Sequence, residues 1–389
     1  LSTAGVIYLN TPGIFKDVPV GATILIDDGD IALVVVDKKD GMLQCEADNR
    51  GVIKSRKSVN IPGVSIELPS VTERDREFIE WAIDRKLDFI AHSFVRTDED
   101  VRAVKSIIKS RNSDIKVISK IENREGVENI VRILGETYGI MVARGDLGVE
   151  VPAEELPVVQ RNLVRKCIEH KSPVIIATQM LHSMMGNPRP TRAEVSDIAG
   201  AVYQRVDAIM LSGETANGMY PVESVQTMDR IAVSIEKDEE NFMVLDDDIV
   251  RIDNEVVAQL ARSTVRASKN LPVKAVVIDT MSGRTGRYLA AFRGPKSVFA
   301  MCYSKSVMRQ LALSFGIIPL YCEPSRDHNS FLRNALCSMR EMWHLDKIDL
   351  IVVMGGDFGV TSGASFIEIE TVELLENKVS GFLGTANID

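Results

Sequence analysis

Cysteine pairs, histidine clusters, long apolar runs and an excess of basic charge are all lacking in this sequence, and each absence removes a class of function. The five cysteines, Cys45, Cys167, Cys302, Cys322 and Cys337, contain no CxxC spacing. That excludes a disulfide framework or zinc-thiolate site and fits a reducing cytosol. The five histidines show no HExxH or comparable ligand spacing, so each reads as structural or surface. No segment approaches the roughly 18 to 20 apolar residues of a membrane span, and no charged start with an apolar core marks a signal peptide. A soluble, cytoplasmic protein is expected, with no membrane partner. With 46 Lys and Arg against 55 Asp and Glu, the formal charge is -9, which argues against nucleic acid as a partner.

What is present is ample length and a change of pattern along it. The chain has 389 residues, enough for two or three domains. Short β-type segments at Val6 to Leu9, Thr23 to Ile26, Ile31 to Val36 and Met42 to Ala47, separated by Gly, Pro and Asp, predict a small β module over residues 1–61. From Pro62, strands at Phe89 to Phe94, Val117 to Glu122, Gly139 to Val142, Val174 to Thr178 and Ala208 to Ser212 alternate with helices. Strand starts roughly 20 to 35 residues apart are the period of βα units, in parallel sheets or (β/α)₈ barrels. Thr72, Thr97 and Thr191, each followed three residues later by an acidic residue, read as helix caps. The acidic stretch Glu236 to Asp248 breaks the period and reads as a linker, separating residues 62–240 from a second α/β unit at 241–389.

The chemistry concentrates between Lys120 and Asp146. In a strand, side chains alternate faces, so Lys120 and Glu122 project to the same side, while Asp146 arrives from the end of the next strand. Two carboxylates about 4 Å apart repel by roughly 4 kcal/mol at an effective dielectric near 20, which a lysine offsets in part and a hard divalent cation offsets better. A bare Lys-Glu pair at a strand end can also be purely structural. Asn187 to Thr191 reads as an element stop followed by a cap, Met180, Met184 and Met185 as packing residues, and Asp27-Asp28-Gly29 as a hairpin turn.

The order of motifs resolves the choice. Ile26-Asp27-Asp28-Gly29, Lys57-Ser58-Val59-Asn60-Ile61-Pro62-Gly63, Ser119-Lys120-Ile121-Glu122-Asn123, Ala143-Arg144-Gly145-Asp146-Leu147-Gly148, Ala177-Thr178-Gln179-Met180, Asn187-Pro188-Arg189-Pro190-Thr191-Arg192-Ala193-Glu194 and Leu211-Ser212-Gly213-Glu214-Thr215-Ala216 closely resemble the pyruvate kinase family. The resemblance implies α/β architecture: a partial β-rich lid, strands four to eight of a (β/α)₈ TIM-type barrel, and a C-terminal open α/β regulatory domain, within a homotetramer. It implies phosphoryl transfer from phosphoenolpyruvate to ADP, giving pyruvate and ATP in glycolysis, with Mg²⁺ (or Mn²⁺) and K⁺. Carried over by position, Lys120 and Thr178 are the catalytic residues and Glu122 and Asp146 the metal ligands. Lys120, Ala143, Arg144, Gly145, Asp146 and Thr178 line the substrate, and Lys57 and Asp28 approach the nucleotide. Thr280, Ser282, Gly283, Arg284 and Thr285 resemble a loop that cradles a sugar-phosphate effector.

The sequence also departs from the family. By resemblance it lacks the family's N-terminal third, including the first three barrel strands and the K⁺ ligands. Five strands cannot close an eight-stranded barrel, so the expectation is either that the full protein includes an upstream segment or that this chain alone is poorly stable and inactive. Gly355 to Gly363 matches the family's effector loop only loosely, and Asp357 would repel an anion. Two other readings are kept: a non-catalytic pyruvate-kinase-like binding or assembly protein, and another Mg²⁺-enolate barrel enzyme.

Overall fold

A computed structural model describes residues 5–9, 14–27, 29–55, 57–64, 66, 69–238, 249–324, 327–356 and 363–381. At the amino end, β1 (Thr23–Ile26), β2 (Ile31–Lys39), β3 (Met42–Ala47) and β4 (Val59–Asn60) form an antiparallel sheet in the order β3-β2-β1-β4. Alternation along β1 turns Ile24 and Ile26 inward against Val18, Ile31, Val35 and Ile61. The strand expected at Val6 to Leu9 is not formed; Val6 makes an isolated bridge, and Val6, Ile7 and Tyr8 are exposed, with no buried face to fix a register.

Five parallel strands follow: β5 (Phe89–His92), β6 (Lys116–Ile121), β7 (Gly139–Ala143), β8 (Val174–Ala177) and β9 (Ala208–Met210). They pair in strict chain order, β5-β6-β7-β8-β9. A doubly wound sheet reverses its order at a switch point, whereas a barrel adds each strand beside the last, so this is barrel winding. Among the described residues β5 and β9 each pair on one side only. One face packs on helices through Ile121, Ile140, Leu163, Ile168 and Ile176. The other carries a smaller cluster of Ile118, Met141 and Ala177, and it is this inner face whose carboxyl end bears the candidate site.

The third sheet contains β10 (Val273–Thr280), β11 (Val298–Cys302), β12 (Ile317–Tyr321), β13 (Leu350–Gly356) and β14 (Ala364–Thr371), in the order β12-β11-β10-β13-β14. Here the order does reverse, at β10, and β14 runs antiparallel to β13. Apolar cores cover both faces, as an open α/β sheet requires. The linker expected across Glu236 to Asp248 falls largely on 239–248, outside the described residues. No helix among the described residues is long and apolar enough to cross a membrane.

The helix starts follow from their caps. Thr72 and Thr191 complete capping boxes, and at Thr97 the Asp100 carboxylate accepts the cap amide at 3.1 Å. Glu194 accepts from the Thr191 amide at 2.8 Å and also from the Ser183 amide at 2.7 Å, tying the helix Arg192–Tyr203 to the loop after β8. Thr191→Ala is expected to destabilise by about 1 kcal/mol, and Glu194→Ala by more, since it frees donors on two elements. Thermal unfolding of the two variants checks this ranking.

Candidate active site

The carboxyl end of β6 places a cation and an anion in contact. Lys120 Nζ lies 2.7 Å from Glu122 Oε1 and donates to Ser93 Oγ at 2.9 Å. The Phe94 amide donates to Glu122 Oε2 at 2.6 Å. Glu122 is only 1% exposed, so its carboxylate is held from both oxygens in a largely dry setting. Ser119, on the opposite face of β6, bonds Thr137 instead, which shows the strand alternation directly. Ser93 and Phe94 were missed by sequence reasoning. The signal was available, since they follow β5, the parallel neighbour of β6.

The next two strand ends meet each other. Ala143 closes β7, and Arg144, Gly145 and Asp146 open the short helix Arg144–Glu150. The Gly145 amide donates to Thr178 Oγ1 at 2.8 Å, and that hydroxyl donates in turn to Ala177 O at 2.6 Å. The Gly145 amide is therefore already engaged. A Cβ built on Gly145 would meet Thr178 at ordinary contact distance, 3.8 Å, so internal packing does not demand glycine there. Asp146 is half-buried on the same helix. Burial pushes the nearby Glu150 carboxyl up and Asp146 adds to the rise, against the Gly63 amide and Arg124, which pull it down. That hydrogen bond from Gly63 joins the turn after β4 to the helix bearing Asp146. Arg144 is buried, with its guanidinium on Ala177 O, Thr178 O and Asp197.

A divalent cation fits this donor set. Carboxylate oxygens are hard ligands, and each retains lone-pair capacity beyond one hydrogen bond. Among the described residues no group of three or more His, Cys, Asp or Glu is arranged to hold a metal. Glu122 and Asp146 would supply two such ligands and leave the rest of the shell to water or substrate oxygens, the coordination Mg²⁺ favours.

Lys57 stands just before β4 and pairs with Asp27 at 2.7 Å, a residue the sequence marked only as part of a turn. Asp28 itself lies outside the described residues. Beside β5 opens a cavity of about 1010 Å³ with apolar walls that include Phe78, Trp81, Leu87 and Ile90. It touches the site through Ser93 and Phe94, but Lys120, Glu122, Asp146 and Thr178 do not line it.

The loop after β10 is internally tied. Thr280 Oγ1 accepts the Gly283 amide at 2.9 Å, Gly283 has φ 78, and Arg284 and Thr285 begin the helix Arg284–Ala291. Arg287 donates to Ser282 O at 3.2 Å. Asp357 lies outside the described residues. Next to Thr280, burial pushes the Asp279 carboxyl up to about 6 from 3.8, against hydrogen bonds from its own amide and the Gly356 backbone. Because the folded value exceeds the unfolded one, the associated stability is complete below about pH 4 and is lost as pH rises through about 6. Relative to Asp279→Asn, the natural protein is expected to lose up to about 3 kcal/mol across that window. Urea unfolding at a series of pH values checks it; parallel curves for the two proteins would contradict it.

The pattern of the pyruvate kinase barrel domain matches residues 1–225, and that of the pyruvate kinase alpha/beta domain matches residues 258–370. A pyruvate kinase of Borreliella burgdorferi is 44% identical over 369 residues, 94% of this chain and 77% of its own length. Pyruvate kinases of Staphylococcus epidermidis and Staphylococcus aureus are 42% and 41% identical over 88% and 92% of this chain. The chain spans 59% and 62% of the length of those two. Two matched domains and identity sustained along nearly the whole sequence place the chain in the pyruvate kinase family, enzymes of the phosphotransferase class.

Proposed function

We propose that the protein transfers a phosphoryl group from phosphoenolpyruvate to ADP, with Lys120, Glu122, Asp146 and Thr178 at the reacting centre. The observation that carries this is the Lys120 ammonium held 2.7 Å from the buried Glu122, at the carboxyl end of a parallel strand, in a chain of this family. As the phosphoryl group leaves the enol oxygen, negative charge grows on that oxygen and on the phosphoryl oxygens. A fixed ammonium that needs no reorganisation stabilises that charge most in the transition state. Ser93 Oγ and Glu122 Oε1 fix where Lys120 Nζ stands. Mg²⁺ held by Glu122 and Asp146 supplies Lewis-acid neutralisation of phosphoryl oxygens when bound.

The remaining step is proton delivery to carbon. The enolate oxygen reforms its carbonyl while the terminal carbon takes a proton, completing pyruvate. Thr178 Oγ1 donates to Ala177 O, so its own proton points away from the substrate, and water on the Thr178 face is the donor. Lys57, paired with Asp27, serves the nucleotide phosphates. K⁺ dependence, a homotetramer and a sugar phosphate at the Thr280 to Thr285 loop belong to the same proposal, as properties of the family. Division at residues 61 and 240 does too.

Pyruvate formation from phosphoenolpyruvate and ADP, with Mg²⁺ and K⁺ supplied and then withheld in turn, tests the proposal on the whole protein. Turnover that vanishes without the divalent cation is expected. A folded protein that forms no pyruvate under any of these conditions refutes the activity.

A further inference from the structure

Thr178 and Gln179 are consecutive non-glycine residues with φ of 70 and 56. The left-handed region disfavours side chains, β-branched ones most, at a cost of about 1–3 kcal/mol per strained residue. Such a bend persists only where its surroundings fix it. Arg144 touches it on both sides of Thr178. Its Nε donates to Ala177 O at 3.4 Å, and one terminal nitrogen donates to Thr178 O at 2.8 Å and reaches Met180 Sδ at 3.3 Å. The other terminal nitrogen pairs with Asp197 Oδ1 at 2.6 Å, on the helix Arg192–Tyr203. One planar fork thus ties the end of β7, the bend after β8 and a third element.

We propose that Arg144 is a positioning residue for proton transfer: its guanidinium, anchored by Asp197, clamps the Thr178–Gln179 bend and keeps the Thr178 hydroxyl on the face where carbon is protonated. The proposal rests on the phosphoenolpyruvate reading above and deepens it, because it assigns Arg144 to the protein rather than to the substrate. Lysine does not replace this fork. A single ammonium of different reach cannot address two carbonyls and a carboxylate in one plane. Loss of the clamp releases the bend, and misplacement by an ångström at a reacting centre costs on the order of a hundredfold in rate.

The proton step can be read apart from phosphoryl transfer. Removing a methyl proton from pyruvate breaks a C–H bond, forms the enolate and hands the proton to water; return from heavy water leaves deuterium on the carbon. Exchange of pyruvate methyl protons into heavy water, followed by proton NMR, therefore reports the Thr178 face alone. Arg144→Lys is expected to slow this exchange and turnover together, by about tenfold or more, with the KM for phosphoenolpyruvate within about threefold of natural. Exchange within about twofold of natural, or a raised KM with turnover preserved, overturns the proposal. Should Arg144→Lys not fold, Asp197→Asn removes the anchor from outside the core. It is expected to slow exchange in the same direction, and unchanged exchange overturns the proposal equally. If the natural protein forms no pyruvate, the activity fails and this inference with it; an active protein indifferent to both substitutions sinks the inference alone.

Discussion

Replacing Lys120 by methionine is expected to lower turnover about a hundredfold or more, while the apparent affinity for phosphoenolpyruvate changes by only a few fold. The asymmetry follows from where the charge is needed. In bound phosphoenolpyruvate the bridging oxygen carries little charge, and it gains most as the phosphoryl group departs. An ammonium placed there contributes mainly to the transition state, about 2.7 to 4 kcal/mol for one preorganised partner. Methionine follows the lysine stem as far as Cε and lacks the ammonium, so Glu122 Oε1 loses its ion pair while the Phe94 amide still holds Oε2. Lys120→Arg is not a safe rescue. A planar guanidinium does not reproduce one ammonium shared by Ser93 Oγ and Glu122 Oε1, so its turnover is expected nearer the methionine variant than the natural protein. Steady-state kinetics beside thermal melts separates a lost charge from a lost fold. Turnover of a folded Lys120→Met protein within about tenfold of natural would remove Lys120 from the reaction.

Much of this site was legible because strands obey a period of two. Lys120 and Glu122 share a face by spacing alone, and the contact between them is what that spacing requires. The βα period likewise placed the starts of β5 to β9 within one residue of those in the structure. Other features are set by neighbours distant in sequence. Ser93 and Phe94 become partners of Lys120 and Glu122 only once β5 pairs with β6. The resemblance puts Arg144 among the substrate-lining positions with Gly145 and Asp146, while packing turns its guanidinium toward Thr178 O and Asp197. Val6 to Leu9 shows the opposite error: apolar composition favoured a strand, but these residues are largely exposed and a lone bridge results. Lys57 was found, while Asp27, which pairs with it at 2.7 Å, read only as part of a hairpin turn, because a contact across thirty residues is set by the pairing of β1 with β4 and not by local spacing.

Asp207→Ala is expected to produce a large loss of stability, about 3–5 kcal/mol. Asp207 precedes β9, and Arg293 follows the helix Arg284–Ala291; their side chains are 3% and 2% exposed. The pair is bidentate, at 2.8 and 2.6 Å, and Asp207 also accepts the Phe315 amide at 2.8 Å and the Val174 amide at 3.0 Å. The Phe315 ring lies against the guanidinium, 4.7 Å from ring centroid to its carbon. Truncation leaves a buried cation and two amides without their acceptor, so the penalty comes from the groups left behind rather than from the pair's own attraction. The lesion also falls where the parallel sheet meets the C-terminal sheet. Fewer ties remain there, among them Arg309 with Asp88 at 2.8 Å, partly exposed, and Gln310 with the Asp114 carbonyl at 3.0 Å. Coupling between the two bodies should therefore weaken along with stability. The two tryptophans report them separately, since Trp81 lies in the helix Glu73–Asp84 before β5, and Trp343 packs tilted against Phe299 of β11. With Trp81→Phe and Trp343→Phe backgrounds, urea unfolding of the natural protein is expected to give coincident transitions, and Asp207→Ala two that part. Arg293→Met combined with Asp207→Ala should cost less than the sum of the single changes, because the second substitution removes the stranded charge left by the first. Strict additivity, with coincident transitions in every variant, would mean the pair neither links the two bodies nor acts as a unit.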